Sequence, residues 1–320
     1  MFCNCTLKLI AYGTLSFLLL KTLCLLKRLF YPFFIASPIS LIKQAGARWA
    51  VVTGSTDGIG KAYATELAKK GFNIVLISRN QKKLDDVKEE IEKVSQDVEI
   101  KTIVFDFTNA STTDYQKDII EKLNELEIGI LVNNVGLSYE YPDILHKIEG
   151  GLQRVADITI INTLPPTLLT AAILPQMVSR KGGIVINIGS FAGWNQMPMW
   201  AVYSATKKYV GFLTGILQKE YANSGILFQS VSPMMVATNM SKVKKTSFFT
   251  PSPTDFVKSA IKTIGNDSDT TGYFSHQLQA EIMGLLPEFL FTYSVFNFSK
   301  ATRSKALKKK ERLAAEAKNE

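Results

Sequence analysis

At 320 residues the chain is long enough for one large α/β domain with additions at either end, and its length does not require two. A composition of 46% hydrophobic and 20% charged residues is that of a globular protein. The formal charge of +9 could serve nucleic acid, anionic lipid or an anionic substrate, but no nucleic-acid motif accompanies it, and much of the basic excess lies at the chain ends, beside apolar segments. Cys3, Cys5 and Cys24 all fall in the N-terminal apolar stretch, so a disulfide framework and a metal site are excluded. Cys3 and Cys5 are read as free thiols, with acylation near a membrane as the alternative. His146 and His276 lack any partner pattern and are read as structural or surface residues.

In chain order, Leu7 to Leu26 is strongly apolar and close to the roughly 20 residues that cross a bilayer, provided Lys21 reaches the interface. Lys27-Arg28 and a second apolar run, Leu29 to Ile42 with Pro32 and Pro38, follow without a signal-peptide cleavage site. These features predict membrane attachment. From Arg48, short apolar runs alternate with amphipathic stretches, the pattern of βαβ units and a parallel sheet. Strands are predicted at Trp49 to Thr53, Asn73 to Ser78, Glu99 to Phe105, Ile128 to Asn133, Gly183 to Ile188 and Ile226 to Ser232, with helices such as Ile59 to Lys70 and Gln81 to Val94. After Ser232 comes a long irregular stretch, then a helix from Pro253 to Ile264. Ile282 to Phe298, broken by Pro287, suits an interfacial helix or a hydrophobic mouth, and the charged tail from Ser299 is expected to fray or stand as a free helix.

The first strand runs into Thr53-Gly54-Ser55-Thr56-Asp57-Gly58-Ile59-Gly60, a turn that opens a helix. Glycines there let the backbone approach a pyrophosphate, which sits on the helix N-terminus. The second strand ends in Arg79, where an acidic residue would favour NAD and a planar cation suits a 2′-phosphate, so NADPH is expected. Tyr203 and Lys207 stand at i and i+4 on one helical face, and an ammonium there favours phenolate. Ser190 follows an apolar strand, where a sheet's carboxyl end presents residues to a crevice. Asn162 is followed by Pro165 and Pro166; a proline at 166 offers no N–H to the Asn162 carbonyl, and a kink is expected to leave that carbonyl free for water.

From Trp49 to Thr271 the chain resembles the short-chain dehydrogenase/reductase family: Thr53-Gly54 to Gly60, Asp106, Asn133-Asn134-Val135-Gly136, Asn162, Ser190, and Tyr203 with Lys207 occur in the family's order. The resemblance implies an α/β Rossmann-type doubly wound parallel sheet with helices on both faces, here with an apolar N-terminal membrane segment. It divides the chain into a membrane-associated segment (1–46), a Rossmann-fold reductase domain (47–275) and an apolar, aromatic segment with a basic tail (276–320). It implies Asp106 near the adenine, Asn133 to Gly136 packing the sheet beside the cofactor, and Pro233, Val236 and Thr238 near the nicotinamide. Tyr203 is then the proton donor, Ser190 orients the carbonyl oxygen, Lys207 binds the nicotinamide ribose, and Asn162 supports a water that reloads the proton. Within the family the closest resemblance is to the membrane-bound branch of 17-beta-hydroxysteroid dehydrogenases and very-long-chain 3-oxoacyl-CoA reductases, carried by Gly54 to Tyr63, Val236-Ala-Thr238 and Pro253 to Ile264. Pro233-Met234 stands where the wider family has proline-glycine.

The implied activity is NADPH-dependent reduction of a keto group on a lipidic substrate: a long-chain 3-oxoacyl-CoA first, with a 17-ketosteroid as the alternative and a non-catalytic lipid-binding or scaffold protein as the reading from another class. The implied setting is the endoplasmic reticulum membrane, with the domain facing the cytosol, no nucleic-acid partner and a homodimer through the helices that bear Asn162 and Tyr203.

Overall fold

The computed structural model describes residues 4–317, with side chains from Thr6 onward. Cys3 and the Cys5 side chain, read as free thiols with acylation as the alternative, lie outside the described residues. The N-terminal apolar run forms α1 (Asn4–Phe30), followed by a π-helical turn (Tyr31–Ile35) and a short α2 (Leu41–Ala45). The stretch from Thr6 to Ile35 is long and apolar enough to cross a membrane, with a mean hydropathy of 1.9.

The body then alternates as read: β1 (Trp49–Thr53), α3 (Gly58–Ala68), β2 (Asn73–Ser78), α4 (Gln81–Glu92) and β3 (Ile100–Val104). A helical stretch made of α5 (Thr112–Asp114), a π segment (Tyr115–Ile120) and α6 (Glu121–Asn124) leads to β4 (Ile128–Asn133). Next come α7 (Gly151–Arg180), β5 (Gly183–Ile188), α8 (Ala201–Glu220) and β6 (Ile226–Val231). The chain ends with α9 (Pro253–Lys262), β7 (Asp269–Thr270), α10 (Phe274–Gly284) and α11 (Glu288–Glu316).

The seven strands form one parallel sheet in the order β3-β2-β1-β4-β5-β6-β7, with Val51 opposite Val75 on one side and Leu131 on the other. Strands buried on both faces read as continuous apolar runs. Alternate residues accordingly feed two cores: Ala50, Val52, Ile74 and Leu76 pack with α3, α4 and α9, while Val51, Val75, Leu131 and Val185 pack with the 112–124 stretch and α7. The sequence order reverses between β1 and β4, and ligands of such sheets bind at that crevice, outside the carboxyl ends of the strands.

Three elements differ from the sequence reading. β7 pairs with β6 but is only two residues long and has no apolar run to announce it. α7 runs unbroken through Pro165 and Pro166, so the expected kink does not interrupt the helix, although neither proline can donate to the carbonyls of Ile161 and Asn162. The tail from Ser299 neither frays nor stands free: it continues α11, with Ser299 buried, Arg303 bonded to the buried Asp143 at 2.8 Å, and Lys310 paired with Glu149. At the other end, the N-terminal segment touches α10. Phe30, Phe33 and Phe34 pack around Phe274, and Arg28 bonds Glu281 at 3.0 Å.

Candidate active site

The glycine turn after β1 is held from beneath by the end of β4. The Thr53 hydroxyl accepts from the amides of Asn134 and Val135, both at 3.0 Å, and the Asn134 side chain donates to the carbonyls of Thr53 (2.9 Å) and Gly54 (3.1 Å). A Cβ on Gly60 would lie 2.3 Å from the Gly54 carbonyl oxygen, and Gly54 has φ +62° with its would-be Cβ 2.9 Å from Val135. Side chains at these positions would force the turn open, so the glycines keep the backbone tight where α3 begins. Asp57 is extended at the helix N-cap, and Ser55 is buried against Ile77. Arg79 is exposed at the end of β2, forming no ion pair among the described residues. Asp106, exposed just past β3, folds back on Thr108. A glycine cradle at a helix N-terminus with a cation at the next strand end fits a phosphorylated dinucleotide.

Asn133 is not brought to this cradle by its side chain, which is buried and donates to Thr170 (3.0 Å) and Asn187 (2.8 Å), inside the layer between the sheet and α7. Asn134, its neighbour, braces the loop instead. Gly136 joins the cradle to the reacting end: a Cβ there would lie 3.1 Å from Asn162 Oδ1 and 3.3 Å from Lys207 Nζ.

At that end, Asn162, Ser190, Tyr203 and Lys207 converge from α7, the turn after β5, and α8. The Asn162 amide bonds the Leu137 backbone at both N–H and carbonyl (2.9 Å each) and donates to Thr206 at 3.0 Å. Lys207 is buried and donates to the Ile188 carbonyl at 2.9 Å, with its ammonium 5.9 Å from the centre of the Tyr203 ring. Ser190 caps a short turn and accepts from the Ala192 amide at 3.2 Å. That turn abuts α8 closely: a Cβ on Gly193 would lie 2.6 Å from the Lys207 carbonyl carbon, and Ser204 donates to the Ala192 carbonyl at 2.5 Å.

Burial holds the Tyr203 pKa above its ordinary value, and a hydrogen bond with Ser190 offsets part of that rise. Burial also lowers Lys207 to about 8. The ammonium lies over the ring of Tyr203, yet the hydroxyl that acts on the phenol is that of Ser190. Trp200 meets Tyr203 edge-on at 6.2 Å and stacks on Tyr139 at 5.7 Å, fixing the start of α8.

The loop after β6 closes the site from above. The Pro233 carbonyl accepts from the Phe191 amide at 3.0 Å, Val236 is buried, and the Thr238 methyl stands 3.0 Å from where a Gly58 Cβ would be. Met235, Met240, Phe248 and Phe249 on this loop are exposed, an apolar rim on the segment that follows β6. The residues that sequence reasoning missed are Thr53, Asn134, Thr206, Trp200 and His276. Thr53 and Asn134 had a signal, each standing inside a quoted motif, but neither was read as bracing the turn.

The short chain dehydrogenase family model matches residues 48–247. A very-long-chain 3-oxoacyl-CoA reductase of Caenorhabditis elegans is 58% identical over 314 residues, 98% of this chain and 99% of that one. A second C. elegans protein, provisionally named steroid dehydrogenase 1, is 56% identical over 280 residues, 88% of each chain. Among solved structures, a short-chain dehydrogenase from Sphingobium yanoikuyae in complex with NADPH is 28% identical, with a TM-score of 0.59 over 67% of this chain and 82% of that one. With its sheet order, glycine cradle and converging Ser190, Tyr203 and Lys207, the chain belongs to the short-chain dehydrogenase family.

Proposed function

We propose that the chain reduces the keto group of a long-chain 3-oxoacyl-CoA with NADPH at a membrane. The observation that carries this reading is the near full-length identity with a very-long-chain 3-oxoacyl-CoA reductase, which extends through the apolar N-terminal segment that the family model does not cover. Arg79 at the end of β2 supports NADPH over NADH. Gly54, Ser55, Asp57, Gly58, Ile59, Gly60, Asp106, Gly136, Pro233, Val236 and Thr238 form the surroundings of the dinucleotide in this reading, and Asn133 supports them from inside the sheet layer. When bound, NADPH supplies the hydride.

The chain's own residues handle the oxygen and the proton. The Ser190 hydroxyl orients the carbonyl oxygen and Tyr203 donates its proton to it. Lys207, buried between Gly136 and the Ile188 carbonyl, holds its ammonium over the Tyr203 ring and would bind the nicotinamide ribose of NADPH. The Asn162 carbonyl has no amide four residues on and is open to a water that reloads Tyr203. The apolar rim of Met235, Met240, Phe248 and Phe249 suits an acyl chain. α1 supports membrane attachment, with the domain on the cytosolic side of the endoplasmic reticulum.

The test is NADPH oxidation by the detergent-solubilised full chain on a long-chain 3-oxoacyl-CoA and on a 17-ketosteroid, with Tyr203→Phe as the control. Faster turnover of the acyl-CoA, reduced at least about a thousandfold in Tyr203→Phe with NADPH still bound, is the expected result. Preference for the ketosteroid would make the chain a steroid dehydrogenase, and no Tyr203-dependent turnover of either would sink the reading.

A further inference from the structure

His276, near the start of α10, is fully buried, stands 73 residues along the chain from Tyr203 and belongs to no catalytic group above. Both of its ring nitrogens are used. Nδ1 accepts from the Met234 amide at 3.3 Å, which leaves the proton on Nε2, 3.2 Å from the Met235 carbonyl. The ring is wedged between Phe256 and Tyr273, with centroids 5.8 and 5.6 Å away. The preceding residue, Ser275, donates to the Phe248 carbonyl at 2.6 Å. Two adjacent side chains of α10 thus grip both ends of the loop that carries the apolar rim.

The gripped backbone is where the two halves of the site meet. One residue before Met234, the Pro233 carbonyl accepts from Phe191, next to Ser190. A few residues after Met235, Thr238 abuts Gly58 in the cradle. A shift at 234–235 would therefore move the turn of Ser190 and the cover of the glycine loop together. The wider family's proline-glycine is Pro233-Met234 here, and the Met234 side chain packs with Phe191 and Phe291.

We propose that His276 is a positioning residue for the reduction: its neutral imidazole, one nitrogen accepting and the other donating, sets the Pro233–Met235 backbone and through it the placement of both Ser190 and the NADPH cover. The proposal rests on the reductase reading for its substrate but not for its observables. Burial holds the imidazole at about 4, so it is neutral near pH 7.

The experiment uses the full chain in detergent with three variants. His276→Phe keeps a ring between Phe256 and Tyr273 and loses both bonds. His276→Asn places an amide oxygen where Nδ1 was, and His276→Gln places an amide nitrogen where Nε2 was. Amide hydrogen exchange at Met234, NADPH affinity by fluorescence titration, and kcat and KM are measured for each.

In His276→Phe the Met234 amide is expected to exchange faster while the β1 amides do not change, NADPH to bind about tenfold more weakly, and kcat to fall at least as much as KM changes. Asn and Gln are expected to recover part of both losses. Wild-type Met234 exchange and NADPH affinity in His276→Phe would overturn the proposal, as would variants that lose thermal stability alone. If His276→Phe does not fold, wild-type exchange and affinity in both amide variants overturn it instead. Normal NADPH binding by the wild type without turnover of the acyl-CoA would defeat the reductase reading while leaving the exchange and affinity arms to judge His276.

Discussion

Burial strips water from the Lys207 ammonium and brings its pKa from an ordinary 10.5 to about 8. Between pH 8 and 10.5 the unfolded chain therefore holds more protons at this position than the folded one, and stability rises with pH across that window, by up to about 1.4 kcal/mol per pH unit. Denaturant midpoints without cofactor, compared between wild type and Lys207→Met, are expected to show a difference that changes with pH from 8 to 10.5 and is flat below 8. A difference that is flat throughout would mean a solvated ammonium. Gly193→Ala tests the other contact at this point. Its Cβ would press on the Lys207 backbone at 2.6 Å, so a destabilisation of about 1–3 kcal/mol and a drop in kcat of roughly tenfold or more are expected, with NADPH affinity less affected. Lys207, Tyr203 and the glycine turn were legible in the sequence because each is a local pattern, an i, i+4 face or a strand-turn-helix junction. Asn134 bracing Thr53 across 81 residues, and His276 bonding the 234–235 backbone 41 and 42 residues away, had no periodicity to give them away.

At the scale of elements, α11 braces the site from outside the matched family region. Ser299 accepts from the Trp200 indole at 3.1 Å, and Arg303 bonds Asp143, whose amide donates to the Met199 carbonyl at 3.1 Å, so both contacts bear on the segment that enters α8 just before Tyr203. Asp143 is 4% exposed, so removing its partner strands a buried carboxylate. Arg303→Met is expected to cost about 2 kcal/mol, discounted because the arginine is partly solvated, and to lower kcat; Asp143→Asn in the same chain should restore part of the stability, measured by chemical denaturation. If Arg303→Met leaves kcat and stability unchanged, α11 is an appendage. Six of the seven strands were legible almost to the residue, since strands buried on both faces announce themselves as apolar runs, while the two-residue β7 was not. The docking of α11 was not, because its basic surface reads as solvated until Asp143 and Glu149, about 160 residues earlier in the chain, are placed beneath it.

For the molecule as a whole, removing residues 1–46 is expected to release the protein from carbonate-washed membranes, measured by its partition between pellet and supernatant; retention of the shortened chain would assign attachment to α10 and α11. The same cut removes the aromatic packing on Phe274 and the bond from Arg28 to Glu281, on the helix that carries His276. A soluble preparation trimmed ahead of Trp49 for crystals, screening or biocatalysis is therefore a different enzyme from the intact one. Its α10 has lost a wall, and inhibitor potencies or substrate preferences ranked on it are expected to differ from those of the full-length chain.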